Sequence, residues 1–252
     1  MNEPQNYNTM NENYNVFTEL HLEKNELFHS AMIAAIVSHE KNDRLFFDYL
    51  KMSLSHDINK DVKNPSAFLD GIDNLYGSIR WSNQGHSWIG NEVNLKEEFE
   101  DSETRKIEKR KRGRADIWIG TNLGKGEKGT RYRLIIENKI NAGNQDHQLR
   151  RYYRYLKDKR REFAGLFFLC PISNNHFKQQ AIESAKEYNK ESKVNGEVRP
   201  ETEFAILTYE DDIIPWLVKV KETSNGDFLK VVSDYHELVV SLVNEWKKKM
   251  QS

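Results

Sequence analysis

Two apolar segments, at 115–121 and 132–140, carry charged residues in positions where a β-strand would bury them. Three glycines lie in the connection between these segments, and apolar runs on either side of a glycine-rich connection predict a β-hairpin. The first segment contains Asp116, and the second contains Glu137 and Lys139. Because a charged group inside an apolar strand is costly unless it is paired or binds a metal, these three residues constrain the fold more than any other feature.

The spacing within the second segment brings its charged groups together. Side chains on a strand alternate between faces, so Glu137 and Lys139 project from one face, while Asn138 points to the other and leaves its carbonyl between them. Carboxylates on neighbouring strands are oxygen ligands that suit Mg²⁺. A lysine beside such an ion could orient or deprotonate an attacking water, or stabilise charge in the transition state. The pattern therefore contains the groups needed to hydrolyse a phosphodiester.

A simpler interpretation of the same residues is a cross-strand ion pair between Asp116 and Lys139 on a solvated sheet face, since such pairs are common. The apolar residues that flank both charged positions favour the metal-binding interpretation, because an ordinary exposed strand has polar neighbours. The polar residues of the following segment, which suit contacts with a phosphate backbone, favour it as well.

The rest of the pattern predicts a mixed α/β domain. Helical spacing predicts helices at 25–37, 43–54, 146–159, 177–188, 211–220 and 228–249, and apolar runs predict strands at 86–95, 165–171 and 203–209. Residues 55–85 are harder to assign, with a helix start at 64–66 and breaks expected at Gly71, Gly77 and Gly85. The resulting order α, α, β, β, β, α, β, α, β, α, α predicts a mixed central sheet with helices packed on it.

Length and composition bound the class of protein. The 252 residues fit one large domain over 17–252, preceded by a polar segment at 1–16 that we expect to be a mobile tail. A single cysteine, Cys170, excludes an intramolecular disulfide and suits a reducing compartment. No run of about 18 apolar residues and no signal peptide is present, so we expect a soluble cytoplasmic protein.

Basic residues are concentrated in two stretches beside the acidic ones. The net charge of −1 gives no argument for a nucleic-acid partner, but 105–114 and 150–161 each contain seven Lys or Arg residues. Such residues neutralise phosphates and hold a nucleic-acid backbone without reading its bases. The alternative is a solvated charged loop and a charged helix face.

Asp116, followed after a gap by Glu137-Asn138-Lys139, resembles the D…(D/E)-X-K motif of the PD-(D/E)XK nuclease superfamily. The segment 148–152, Gln-Leu-Arg-Arg-Tyr, resembles the Q-x-x-x-Y element of RecB-like members. The resemblance spans about residues 20–220, although Ala115 stands where many members have proline. It implies an α/β, restriction-endonuclease-like fold with a mixed central β-sheet flanked by helices, and with extra N- and C-terminal helices.

The resemblance also implies roles for the acidic residues and the lysine. Asp116 and Glu137 would ligate Mg²⁺ or Mn²⁺, the Asn138 carbonyl would complete the shell, and Lys139 would be the catalytic lysine. Residues 25–30 resemble a helix that adds one more acidic residue, so Glu26 would orient a water or a second metal. An ordinary surface position in the first helical turn is the alternative for Glu26.

Five further residues would contact nucleic acid, namely Gln148, Tyr152, Arg151, Arg154 and Arg114. The implied activity is that of a Mg²⁺-dependent deoxyribonuclease, either endonuclease or exonuclease, in bacterial or phage defence or in DNA processing. Two alternatives stay open: a nuclease-fold module that binds nucleic acid or protein without cutting, and a ribonuclease. A homo-oligomer is also left open.

Overall fold

A computed structural model gives the fold, and it describes residues 15–39, 42–60, 62, 65–81, 87–95, 113–121, 132–140, 163–173, 179 and 203–251. The helices are α1 (Val16–Glu19), α2 (Glu26–Ser38), α3 (Asn42–Ser53), α4 (Pro65–Trp81), α5 (Ile214–Thr223) and α6 (Gly226–Gln251). The strands are β1 (Ser87–Leu95), β2 (Gly113–Thr121), β3 (Tyr132–Asn138), β4 (Phe163–Cys170) and β5 (Glu203–Thr208). A 3₁₀ turn covers Asp57–Asn59, and a π-helical turn covers Tyr209–Ile213.

The five strands form one sheet in the order β1-β2-β3-β4-β5. Strands β1, β2 and β3 pair antiparallel, whereas β3, β4 and β5 pair parallel, so the predicted mixed sheet is confirmed. The antiparallel pairing of β2 with β3 is the one expected for the hairpin. Its glycine-rich connection and the predicted helices at 146–159 and 177–188 lie outside the described residues. The division into a tail at 1–16 and a domain at 17–252 stays a prediction.

One face of the sheet packs against helices. Alternate residues of its strands join the helical side chains in a single apolar core, and the strand contribution is Ile117, Ile119, Leu134, Ile136, Phe167, Leu169, Ala205 and Leu207. The largest fully buried side chain in this core is Trp216 of α5. Because strand residues two apart share a face, the same alternation turns Asp116 and Glu137 away from this core.

Helix α4 corrects the sequence-based prediction for 55–85. The helix begins at Pro65, as the start signal indicated, but it runs through Gly71 and Gly77 without a break. Phe68, Ile72 and Leu75 recur at helical spacing and are fully buried in the core. Their burial, worth roughly 2 kcal/mol per side chain, outweighs the cost of about 1 kcal/mol for each helical glycine.

A side chain from the 3₁₀ turn forms hydrogen bonds with one residue on the outer edge of β5. Asn59 accepts a hydrogen bond from the Ile206 N–H at 2.8 Å and donates one to the Ile206 carbonyl at 2.8 Å. One asparagine therefore satisfies a backbone donor and acceptor that an edge strand would otherwise expose to pairing with another chain. Within the described part of the chain, no helix has both the length and the apolar character needed to cross a membrane.

Candidate catalytic and metal-binding site

The register of β2 and β3 brings two carboxylates face to face. Ile117 pairs with Ile136, so the next positions of the antiparallel ladder are Asp116 and Glu137. Asp116 Oδ2 accepts a hydrogen bond from the Asn138 N–H at 2.8 Å, so the Asp116 carboxylate is held against the backbone that follows Glu137. The two acidic residues singled out in the sequence therefore meet.

Lys139 completes this group. Its Nζ lies 2.6 Å from Glu137 Oε1, and both side chains are buried, at 5% and 0% exposure. The Lys139 N–H donates to the Leu169 carbonyl at 2.8 Å, so the lysine is fixed just past the end of β3 by the neighbouring strand β4. This burial excludes the alternative of an ion pair on a solvated sheet face.

The electrostatics of Asp116 reflect burial and a like charge. Burial, and then the negative charge of Glu137, raise the pKa of Asp116 to about 8, although the Asn138 N–H and Lys139 partly oppose this shift. Without a further cation, the pair therefore retains a proton at neutral pH. Two neighbouring carboxylates are stable inside a protein when they share a proton or a metal ion.

The pKa of Lys139 is also raised, but for a different reason. Burial lowers the pKa of Lys139, but the charge and hydrogen bond of Glu137, together with the charges of Asp116 and Glu26, more than offset that effect and leave the pKa raised. The amine is consequently an ammonium group at neutral pH. It can donate hydrogen bonds and stabilise negative charge.

Helix α2 brings the third predicted acid to the same place. The Asn25 side chain caps the helix by accepting from the Phe28 N–H at 3.0 Å, and this puts Glu26 in the first turn. Glu26 Oε1 accepts from the Ile140 N–H at 2.8 Å. The helix start is therefore fastened to the chain that leaves β3, and Glu26 reaches the site instead of an unrelated surface.

The donor set suits a hard divalent cation. Three carboxylates, those of Asp116, Glu137 and Glu26, surround one ammonium group, so the cluster has an excess of negative charge. Asp116, Glu137 and the Asn138 carbonyl could supply three oxygen ligands, which is the ligand type that Mg²⁺ and Mn²⁺ prefer. Among the described residues, no three His, Cys, Asp or Glu side chains are already arranged around a common point.

The predicted nucleic-acid contacts stay predictions. Gln148, Arg151, Tyr152 and Arg154 lie outside the described residues. Arg114 belongs to β2, two positions before Asp116, and only its backbone is described.

Two residues near the site had no signal in the sequence. The Asn138 side chain donates to Ser30 Oγ at 3.1 Å and accepts from the Tyr209 hydroxyl at 2.9 Å. Ser30 is 108 positions from Asn138 in the chain, and Tyr209 is 71 positions away. No sequence pattern assigned a contact with Asn138 to either residue, so only the tertiary fold could reveal these contacts.

A mixed sheet with flanking helices and an acidic pair on adjacent central strands defines an α/β protein of restriction-endonuclease-like architecture. The family model for the PD-(D/E)XK nuclease superfamily matches residues 14–237, which is most of the chain. The chain therefore belongs to the PD-(D/E)XK nuclease superfamily, and this membership supports nuclease activity. No curated protein and no solved structure matches the chain significantly.

Proposed function

We propose that the protein is a nuclease that uses a divalent metal ion, Mg²⁺ or Mn²⁺, to hydrolyse phosphodiester bonds in DNA. The observation that carries the proposal is the pair formed by the fully buried Glu137 and the half-buried Asp116 on adjacent strands. Like charges opposite each other across an antiparallel pair of strands destabilise a sheet, and burial adds to the cost. A divalent cation between the two carboxylates would replace the proton that the metal-free pair retains and would attract both groups.

The residues divide the work of hydrolysis between them. Asp116, Glu137 and the Asn138 carbonyl would hold the ion, which when bound supplies activation of water and neutralises charge on the phosphate. The Asn138 N–H already donates to Asp116 at 2.8 Å, which fixes the orientation of that carboxylate. The strands therefore present the ligands on rigid backbone, and little reorganisation is needed when substrate arrives.

Lys139 would face the reacting phosphate. As an ammonium group held by Glu137, it can donate a hydrogen bond to the attacking water and stabilise the charge that develops on the phosphate oxygens. Its raised pKa favours these two roles over proton abstraction in the metal-free protein. Glu26, fastened to the Ile140 N–H, would orient a water or a second ion with the rest of its carboxylate.

The substrate would be held by residues on either side of this centre. Gln148, Tyr152, Arg151, Arg154 and Arg114 are the proposed contacts to the nucleic-acid backbone, and basic side chains neutralise phosphates without reading bases. A cytoplasmic location and a role in bacterial or phage defence or DNA processing complete the proposal. A reducing compartment suits the lone cysteine, which is a buried free thiol.

The direct test is cleavage by the purified full chain. Supercoiled plasmid, single-stranded DNA and RNA of similar length are incubated with Mg²⁺, Mn²⁺ or EDTA. We expect cleavage of DNA with either metal, none in EDTA, and loss of cleavage in Lys139→Ala. The matched control is Lys219→Ala, which removes a lysine that pairs with Glu222 at 2.9 Å on an exposed helix surface.

Each of the other outcomes would indicate a different function or a different active site. Binding of DNA in EDTA with no cleavage under any metal would indicate a nuclease-fold binding module. Cleavage of RNA alone would indicate a ribonuclease that uses the same centre. Cleavage that survives Lys139→Ala would show that the active site lies elsewhere.

A further inference from the structure

The side chain of Asn138 lies on the face of β3 opposite the acidic pair and is fully buried. Its amide nitrogen donates to the Glu26 carbonyl at 3.1 Å and to Ser30 Oγ at 3.1 Å, and its oxygen accepts from the Tyr209 hydroxyl at 2.9 Å. Both amide hydrogens thus have partners, and the side chain has one fixed orientation. The central residue of the Glu-Asn-Lys motif is therefore anchored by its side chain as well as by its backbone.

Tyr209, which donates to the Asn138 side chain, is also fixed by its surroundings. It is fully buried in the π-helical turn after β5, and burial raises the pKa of its hydroxyl well above the ordinary value. The hydroxyl therefore keeps its proton and can donate to Asn138 at any physiological pH. Its ring also packs edge-on against the His29 ring, with centroids 5.5 Å apart.

His29 extends this network of neutral groups to α6. Burial lowers the pKa of His29 to about 4, so the ring is neutral. Since the Glu23 carbonyl only accepts, His29 Nε2 donates to it at 2.9 Å and Nδ1 accepts from the Tyr235 hydroxyl at 3.1 Å. Asn138 is thus held directly by α2 and the π-helical turn, whereas Tyr235 of α6 is bonded to His29.

The backbone of this segment is held at each N–H. The Asn138 N–H donates to Asp116, the Lys139 N–H to the Leu169 carbonyl at 2.8 Å, and the Ile140 N–H to Glu26 at 2.8 Å. With the Asn138 side chain also fixed, its carbonyl has little freedom to rotate. That carbonyl is the proposed main-chain ligand.

We propose that Asn138, through its side-chain amide, and Tyr209, through its hydroxyl, are positioning residues that aim the Asn138 carbonyl at the divalent cation. This inference depends on the proposed function, because it assigns the support of that same metal site. Groups that hydrogen-bond to the ligands of a metal ion fix the direction of those ligands and contribute to metal affinity. The network on the helical face of β3 therefore sets the affinity of the acidic face for its ion.

The experiment compares two variants that each remove one buried tyrosine hydroxyl. Tyr209→Phe removes the hydrogen bond to Asn138, whereas Tyr235→Phe, the matched control, removes one to His29 and keeps the bond between Tyr209 and Asn138. Mn²⁺ is titrated into each full-length protein by calorimetry, and the Mg²⁺ concentration for half-maximal DNA cleavage is measured in parallel. Thermal unfolding in EDTA reports the loss of stability of each variant.

For Tyr209→Phe we expect Mn²⁺ binding weakened about tenfold and a matching rise in the half-saturating Mg²⁺ concentration, as for other groups that support metal ligands. At saturating metal its kcat should stay within about twofold of wild type, because the ligands and Lys139 are intact. Tyr235→Phe should lose comparable thermal stability and keep wild-type metal affinity. A purely structural role for Tyr209 would make the two variants alike.

Equal metal affinity in Tyr209→Phe and wild type, or an equal change in both tyrosine variants, would overturn the inference and leave the proposed function standing. A wild-type protein that neither binds Mn²⁺ nor cleaves would instead overturn the proposed function. If Tyr209→Phe does not fold, Ser30→Ala removes another partner of the Asn138 amide. Weaker Mn²⁺ binding by Ser30→Ala supports the inference, and unchanged binding rejects it.

Discussion

Strand β3 carries two buried polar clusters, one on each face, and they differ in how well the protein satisfies them. On the helical face, the amide of Asn138 has hydrogen-bond partners on α2 and in the π-helical turn, and every group there is neutral. On the other face, Glu137 lies close to Asp116 of the neighbouring strand, and Lys139 supplies one positive charge for the pair.

This difference separates what the fold needs from what the chemistry needs. The neutral cluster is satisfied within the chain, so it adds stability and a unique orientation. The acidic cluster costs stability in the metal-free protein, because burial and a neighbouring carboxylate raise the pKa of Asp116 to about 8. A costly arrangement at the centre of an otherwise well-packed sheet is typical of a functional site.

The largest expected effect follows from removing charge on the acidic face. In Glu137→Gln, DNA cleavage at saturating Mg²⁺ should fall by about 10²–10³-fold, since a ligand charge and the partner of Lys139 are lost together. Initial rates on plasmid DNA measure the effect. Glu222→Gln makes the same change on an exposed helix surface and should cleave like wild type. Equal cleavage rates for the two variants would show that the acidic face of β3 has no special role in cleavage.

The neutral cluster should make the free energy of unfolding depend on pH, because it contains the buried ring of His29. The pKa of His29 is about 4 in the folded protein and 6.5 as its ordinary value, so the unfolded chain binds a proton first as pH falls. His29 therefore contributes stability that is fully present above pH 6.5 and is lost as pH falls toward 4. The loss amounts to about 2–4 kcal/mol at about 1.4 kcal/mol per pKa unit.

Urea unfolding between pH 4 and 7 measures this dependence. His29→Gln should be less stable at pH 7 but should show a flatter profile, whereas His39→Gln, at an exposed position, should keep the wild-type slope. Parallel profiles for wild type and His29→Gln would show that the buried ring does not account for the acid sensitivity.

A smaller effect with the opposite sign is expected for Asp116→Asn. The amide can still accept from the Asn138 N–H, and it can donate to Glu137 without first binding a proton, which the Asp116 carboxyl must do in the metal-free protein. In EDTA at pH 7 the variant should be more stable by about 0.5–2 kcal/mol, while it loses cleavage. Denaturant unfolding and a plasmid assay measure the two quantities. A destabilised variant would show that the acidic face is not strained.

The smallest expected effect is a gain in stability at a position outside the site, and it serves as a reference for Asp116→Asn. An added Cβ at Gly77 of α4 meets no atom within 4 Å, so Gly77→Ala should stabilise the protein by about 0.5–1 kcal/mol through helix propensity. Cleavage should not change, because α4 is not part of the site. We expect both Gly77→Ala and Asp116→Asn to increase stability, but only Asp116→Asn to lose cleavage. That result would show that the stability gained at Asp116 comes from removing a group that cleavage requires.

Much of this arrangement could be predicted from the sequence, because its signals are local. Apolar periodicity predicted α2, and the alternation around Glu137 and Lys139 predicted which side chains share a face. The prediction failed where tertiary packing outweighs local propensity, as at Gly71 and Gly77 within α4.

The support behind the site could not be predicted at all. Tyr209 contacts Asn138 across 71 positions of the chain, and the register of two strands and the path of a π-helical turn must both be known before the contact appears. Non-local hydrogen bonds of this kind leave no periodic trace in a single sequence. The acidic motif, by contrast, lies within two adjacent strands and is visible in the order of residues.

The most direct test of the account is the anomalous scattering of a crystal grown with Mn²⁺. We expect a single strong peak within about 2.0–2.3 Å of carboxylate oxygens from both Asp116 and Glu137, with the Asn138 carbonyl as a further ligand. A peak bound to only one of the two carboxylates, or no peak at this site when the metal is saturating in solution, would contradict the shared ion on which the account depends.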